Sequence, residues 1–352
     1  MTGGRYGRIG VLMGGPSAER EISLRSGEAL VQGLIRAGED AIPIEVKDTG
    51  DLTRALVSDL DMNDIRVACL ALHGAFGEDG TVQRLLDSLG IPYTGSGPTA
   101  SRLAMDKLAS RQRFLKEGLR VPLTVCVHRE CEGNLHRIVK EEGLEFPMVA
   151  KPISQGSSVG VSLVLDEESV QAATALAWQY NDRILLEEFV DGREITVGVL
   201  DQNPLPVVEV KPLRRQIFDF SAKYQEGLTE YVVPAAIPKD IFTEAQEVAT
   251  RAHKTLGCWG LTRVDMIWRQ PDEIIVLEVN TIPGFTRSSL VPKAAAAVDI
   301  NFEELCLRWV RTALKPSAFR TAGQKDTRTW GTDYGTASIS GDFGTTSRGS
   351  AV

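Results

Sequence analysis

Long apolar runs are missing from this 352-residue chain. No stretch approaches the ~20 consecutive apolar residues of a membrane-spanning helix, so no span is expected. Histidine is scarce, with four residues and no H-E-x-x-H pair, which excludes a common zinc-hydrolase signature. The five cysteines, Cys69, Cys126, Cys131, Cys258 and Cys306, form no C-x-x-C and no zinc spacing. An odd, scattered set fits buried thiols in a reducing compartment. No block of Lys and Arg offsets the formal charge of −8, so nucleic acid is not an expected partner. A Walker A loop, G-x-x-x-x-G-K-[ST], is also lacking. The N-terminal end runs straight into "RIGVLM" without an apolar targeting segment, and a cytoplasmic location is expected.

The material present is that of a globular protein of two or three domains: 43% hydrophobic and 24% charged residues, mean hydropathy −0.08. Up to about residue 106, strand-like and helix-like stretches alternate. "RIGVLM", "AIPIEV" and "VACLALH" read as strands, and "ISLRSGEALVQGLIRAG" and "TVQRLLDSLG" as helices. That alternation predicts a parallel sheet. A second unit, 107–194, opens with a helix in "MDKLASRQRFLKEG". It continues with strands in "FPMVAKPI", "GVSLVL" and "RILLEEFV" and a helix over "EESVQAATALAWQYN". A third, 195–315, has antiparallel-looking strands around "PLPVVEV" and a polar loop, "RQIFDFSAKYQEGLTEY". The helix "FTEAQEVATRAHKTLG" and the strands "GLTRVDMIW" and "EIIVLEVN" complete it. The tail, 316–352, is rich in Gly, Ser, Thr and charge and is expected to be disordered.

The chemistry concentrates in the last two strands. Alternate residues of a strand share a face, which places Glu278 with Asn280 and Arg263 with Asp265. A hairpin through "RQPDE" gathers all four. Two carboxylates and an amide oxygen are hard ligands that suit magnesium beside phosphates, with Arg263 facing the same charge. The plainer alternative is an Arg–Asp–Glu salt-bridge network on a solvated sheet face. "AKPISQGSSVGVSLV" sets Lys151 before a Gly/Ser loop whose N–H groups and hydroxyls, Ser157 and Ser158, suit phosphate; a surface hairpin is its alternative. In "LLEEFVDGRE", Glu187 has the chemistry to accept from an adenine amino group and Glu194 to meet ribose hydroxyls, or the stretch is an exposed acidic turn. "TGSGPTA", 94–100, matches G-x-G-x-x-A but lies late in its unit and reads as a turn.

Taken in order, eight segments between about residues 7 and 314 resemble the D-alanine–D-alanine ligases of the ATP-grasp superfamily. They are "GGPSAEREISLRSG", "LALHGAFGEDGTVQ", "IPYTGSGPTASRLAMDK", "VAKPISQGSSVGV", "LLEEFVDGRE", "DFSAKY", "RVDM" and "LEVNTIPGFTRSSLVPK". The resemblance implies three α/β domains, with ATP gripped between the central and C-terminal ones. It implies synthesis of a dipeptide for peptidoglycan through an acyl phosphate, in a cytoplasmic homodimer with no membrane or nucleic-acid partner. Carried over by position, Lys107, Lys151 and Ser158 hold phosphates, and Glu187, Glu188, Val190 and Glu194 line the nucleotide pocket. Asp265, Glu278 and Asn280 bind two magnesium ions, with manganese as a substitute. Arg263 and the Gly284 N–H face the oxyanion. Glu19 takes the first D-alanine's ammonium, with His73 nearby. Ser289 and the Leu290 N–H hold the second D-alanine's carboxylate, with Lys223 in the loop above. Ser157 and Tyr224 close that loop and fix Glu19.

Four positions depart from the family pattern: Arg84 for Gly, Glu188 for the Lys of some members, Phe220 for Tyr and Phe285 for Met. They bear on loop packing. Two other readings compete. One is an ATP-grasp ligase with another acceptor, D-lactate or D-serine; Lys223-Tyr224 speaks against D-lactate. The other is an inactive nucleotide-binding regulator, which predicts loss of Arg263, Asp265, Glu278 or Asn280, and all four are present.

Overall fold

The computed structural model describes residues 4–48, 50–212, 229–315 and 337–339. The first unit is parallel, as its alternation predicts. β1 (Ile9–Gly14) lies between β2 (Ala41–Val46) and β3 (Val67–Leu70), and Tyr93 bridges to Ala68. All six residues of β1 are buried, as a central parallel strand demands. Helix α1 (Arg20–Arg36) returns over the sheet and buries Ser23, Ser26, Leu30 and Leu34 at helical spacing. Helices α2 (Leu52–Met62) and α3 (Thr81–Leu89) complete the unit, and Gly90 at φ 67° ends α3.

"TGSGPTA" is a turn into α4 (Pro98–Met105), with Pro98 at its first position. α5 (Lys107–Lys116) follows, capped by Asp106, whose carboxylate accepts from the Ala109 N–H at 2.9 Å.

Beyond α5 lies an antiparallel sheet. Its core is β4 (Thr124–His128), β7 (Arg183–Glu188), β5 (Met148–Pro152) and β6 (Ser162–Val164) in that order. Helices α6 (Leu135–Glu141) and α7 (Val170–Ala177) pack on it. The helix expected over "EESVQAATALAWQYN" shrinks to α7. Ser169 folds back onto Asp166 through side-chain and main-chain bonds of 2.9 Å, and three-residue turns at Gln179 and Tyr180 close the other end. From the tail expected to be disordered, β14 (Ala337–Ile339) pairs with β4. The rest of that tail lies outside the described residues.

The third unit is a six-stranded antiparallel sheet. β11 (Thr229–Val232), β10 (Val208–Pro212), β8 (Arg193–Leu200), β12 (Leu261–Arg269) and β13 (Glu273–Asn280) run in order, and β9 (Asn203–Pro204) pairs with β8. Strand β8, which the periodicity does not single out, is its central member. Helix α8 (Lys239–Thr255) covers one face, and α9 (Leu290–Ala296) and α10 (Phe302–Ala313) follow β13.

Two packing facts position the site. One apolar core runs from β1, β3 and α1 to α9 and α10, joining the first unit to residues 290–313. Phe285 sits in it without solvent exposure, stacked on Trp309 (4.7 Å between ring centroids) and tilted against Phe302 (5.5 Å). The departure from Met at 285 is therefore a packing choice. Also, α5 faces both antiparallel sheets: Phe114 packs with the third unit's core, while Leu108 packs with Cys126, Ile153 and Leu185 of the second.

Phe285→Ala is expected to cost about 3–5 kcal/mol of unfolding free energy, as for other buried aromatics. Urea denaturation measures it, and a loss below about 1 kcal/mol means that the ring stack does not tie the first unit to α10.

Candidate active site

The hairpin of β12 and β13 sets Arg263 opposite Asn280 and Asp265 opposite Glu278. The pairing then slips by one. Met266 pairs with Val276, which leaves Leu277 as a bulge residue. The strict alternation read from the sequence breaks there, and Leu277 joins Val190, Ile267 and Ile275 in a small apolar cluster. Asp265 is held from three sides. The Arg263 guanidinium donates to both its oxygens at 2.7 Å, the Thr196 hydroxyl donates at 2.7 Å, and the Asn280 amide donates at 3.0 Å.

Glu278 faces Lys107, whose Nζ lies 3.1 Å from its Oε2 and donates to the Gln155 carbonyl at 2.6 Å. This salt bridge crosses from the N-terminus of α5 to the third unit's sheet. On the opposite wall Lys151, in β5, reaches Glu187, in β7, at 2.8 Å. Glu188 pairs with Arg269 at 3.3 Å, and its N–H is taken by the Leu123 carbonyl at 2.9 Å. Val190 is buried at the edge of the apolar cluster, and Glu194 lies in β8 opposite Ile267.

The loop after β5 closes over the first unit. Ser157 and Ser158 both take positive φ, 51° and 59°, and the Ser157 hydroxyl donates to the Glu19 carboxylate. Glu19, just ahead of α1, is 9% exposed, and its pKa is raised, chiefly by burial. Gly156 and Gly74 leave it room: a Cβ on either would lie 2.8 and 2.9 Å from its Oε2. His73 is buried, with Nε2 3.2 Å from the Ser26 hydroxyl, and burial pushes its pKa down to about 4, so it is neutral. Ser26 also accepts from the Phe285 N–H at 3.2 Å, which fixes the turn that carries Gly284. The Ser289 Oγ accepts from the Thr286 N–H at 2.9 Å, and Leu290 opens α9. Lys223, Tyr224 and Phe220 lie outside the described residues.

Four participants escape motif reading. Glu78 accepts from the Gly74 and Ile282 N–H groups at 2.8 and 3.2 Å, tying the first unit to the turn after β13. Its pKa is pushed up to about 8, first by enclosure of the carboxylate among protein atoms, then by Glu19. Ser26 and Thr196 orient neighbours, and Arg111 underlies Glu187. Glu78 stands in a glycine-rich stretch and Arg111 on a charged helix, and neither spacing sets them apart from ordinary surface charges.

Two facing antiparallel units, with lysines on the wall of one and carboxylates on that of the other, are the architecture of the ATP-grasp class. The chain belongs to the D-alanine–D-alanine ligase family. The family's C-terminal model (D-ala D-ala ligase C-terminus) matches residues 117–311 and its N-terminal model (D-ala D-ala ligase N-terminus) residues 53–96. A D-alanine–D-alanine ligase of Syntrophotalea carbinolica is 43% identical over 303 residues, 86% of this chain and 94% of the relative. One of Pelobacter propionicus is 44% identical over 312 residues, 88% and 96%. Among solved structures, D-alanine–D-alanine ligase of Bacillus anthracis superposes with a TM-score of 0.76 at 34% identity, covering 88% of this chain and 97% of that one. VanG D-Ala:D-Ser ligase of Enterococcus faecalis does so with 0.75 at 28%, covering 87% and 99%.

Glu78 offers a test of this electrostatic arrangement. Its folded pKa lies above the free value of 4.5, so between there and about 8 the folded chain keeps a proton that the unfolded chain has released. That contribution is complete below pH 4.5 and is lost as pH rises toward 8. Glu78→Gln removes it. Relative to the wild type, the variant's unfolding free energy is expected to fall less between pH 5 and pH 8 in urea titrations. Parallel pH dependences contradict the assignment.

Proposed function

We propose that this protein joins two D-alanine molecules to D-alanyl-D-alanine at the expense of ATP, for peptidoglycan precursors. The observation that carries the reading is the Lys107–Glu278 contact. It brings a phosphate-seeking cation to a carboxylate platform, within reach of a buried acid, Glu19, on the first unit. We divide the chain accordingly: 1–106 for the first substrate, 107–194 and 195–315 for gripping ATP, and 316–352 as a tail.

In this reading the first D-alanine's ammonium pairs with Glu19, which Ser157 orients. Its carboxylate oxygen attacks the γ-phosphorus, ADP leaves, and an acyl phosphate forms. The amine of the second D-alanine, deprotonated, attacks the acyl carbon, and phosphate departs. Phosphoryl transfer is largely positioning and charge neutralisation, which suits a site with many cations. Lys107 and Lys151 neutralise phosphate oxygens, and Ser158 with the loop N–H groups adds donors. Val190, Ile267, Ile275 and Leu277 offer an apolar slot for the base, flanked by Glu187, Glu188 and Glu194. Arg263 and the Gly284 N–H serve the developing oxyanion. Ser289 and the Leu290 N–H take the second carboxylate, and Tyr224 and Lys223 act from the loop above.

Asp265, Glu278 and Asn280 suit two magnesium ions. Opposed carboxylates and an amide oxygen are hard donors, and among the described residues no three His, Cys, Asp or Glu side chains form a closed cage. Magnesium held there would neutralise the charge of the transferring phosphate. No helix among the described residues is long and apolar enough to cross a membrane. We assign the protein to the cytoplasm as a homodimer.

The likeness to the D-Ala:D-Ser ligase VanG favours D-serine as the second candidate acceptor. ADP release with D-alanine, D-serine or D-lactate as acceptor tests the choice. D-Alanine alone is expected to support full turnover, and preference for another acceptor overturns the reading. Glu278→Gln keeps the shape of the platform but removes a charge. It is expected to melt near the wild type and to lose about a hundredfold or more in kcat, as other preorganised electrostatic groups do. Near-normal turnover at saturating magnesium sinks the metal assignment.

A further inference from the structure

Glu187 is 3% exposed and has cations on both its oxygens. The sheet register sets Thr124 of β4 on one side of it and Val149 of β5 on the other. Lys151 reaches Oε2, and Arg111 reaches Oε1. Arg111 stands one helical turn after Lys107, so the two project from the same face of α5. That face serves both walls of the cleft: Lys107 pairs with Glu278 of the third unit, Arg111 with Glu187 of the second.

Arg111 has no solvent exposure. Its Nη1 donates to the Thr124 Oγ1 at 2.8 Å, and that hydroxyl's own hydrogen goes to the Pro122 carbonyl at 2.8 Å. Thr124 therefore meets the guanidinium as an acceptor and aims it at Glu187. Among the described residues, Nε and Nη2 of Arg111 have no hydrogen-bond partner. A buried cation with unmatched N–H groups is costly, and an apolar side chain of similar size would make a cheaper core. Burial pushes its pKa down to about 9, which leaves it charged at neutral pH. What it returns for that cost is its hold on Glu187.

We propose that Arg111 is a positioning residue that makes Glu187 the base-reading group of the nucleotide site, and so sets the preference for a purine with a 6-amino group over one with a 6-keto oxygen. The inference rests on the ATP-dependent reading above. There Lys151 turns to the phosphates, and Arg111 is the cation that stays on Glu187. A carboxylate kept ionised offers lone pairs only. It accepts from an amino group and faces a keto oxygen lone pair to lone pair, in a site with little water. Discrimination by unmatched buried polar groups is the strong kind.

The test compares Arg111→Met and Arg111→Lys in the full chain, with ATP and GTP at saturating D-alanine. For Arg111→Met, KM for ATP is expected to rise about tenfold or more, with a much smaller change in kcat. The ATP-over-GTP ratio of kcat/KM should fall at least about tenfold, within the range that such contacts control. Arg111→Lys keeps the charge but cannot hold Thr124 and Glu187 together, so its ratio should fall about threefold. A merely structural arginine would lower Tm and leave the ratio unchanged, and that result overturns the proposal. If Arg111→Met does not fold, Arg111→Lys decides by the same ratio. Titration with N-methylanthraniloyl-ATP and N-methylanthraniloyl-GTP, without D-alanine, reads the preference independently of turnover. A wild-type chain that releases no ADP with D-alanine refutes the ligase reading, while these titrations still decide the role of Arg111.

Discussion

The opposition of Asp265 and Glu278 across β12 and β13 is the constraint on which the rest of the structure depends. Two like charges set directly opposite destabilise a strand pair unless other groups answer them. Here Arg263, Thr196 and Asn280 answer Asp265, and Lys107 answers Glu278. The answer to Glu278 comes from another unit, so the charge on the hairpin draws α5 against it. Because α5 packs on the second unit through Leu108 and Leu115 and on the third through Phe114, this salt bridge lies beside an apolar link between the two cleft walls. The bulge at Leu277 lets one strand turn a carboxylate toward Lys107 and an apolar side chain toward Val190, Ile267 and Ile275.

The first unit is joined to this hairpin by polar and apolar ties at adjacent residues. Glu78 takes the Ile282 N–H, Ser26 takes the Phe285 N–H, and the Phe285 ring enters the core against Trp309 and Phe302. Gly284 lies between these anchors, so its N–H is aimed by neighbours fixed on both sides. Enclosure raises the pKa values of Glu19 and Glu78 and lowers that of His73. Each shift favours the neutral form, with burial as its largest cause.

Much of this was legible in the chain. Period-two alternation placed Arg263 with Asp265 and Glu278 with Asn280, and "RQPDE" marked the hairpin that pairs them. Strand–helix alternation called for the parallel first unit, and the glycine that closes "TVQRLLDSLG", Gly90, ends α3. The segments resembling the ligase family supplied Glu19, Lys107, Lys151 and Ser157 as partners, and Glu19 meets Ser157 while Lys107 meets Glu278. These features are local, or repeat at short intervals, so neighbouring residues suffice to specify them.

Other features arise only where distant segments meet. The bulge at Leu277 follows from fitting two strands of unequal residue count between fixed ends, and alternation within one strand cannot register it. Glu78 reads as one more acid in a glycine-rich turn until the fold brings Ile282 to it. Arg111 reads as one more cation on a charged helix until β4 and β7 enclose it beside Thr124 and Glu187. The strand pairing of 337–339 likewise depends on a long-range contact. Burial and ion pairing between remote residues are properties of the packed chain. They depend on which surfaces lose water together, and no single stretch of sequence carries that information.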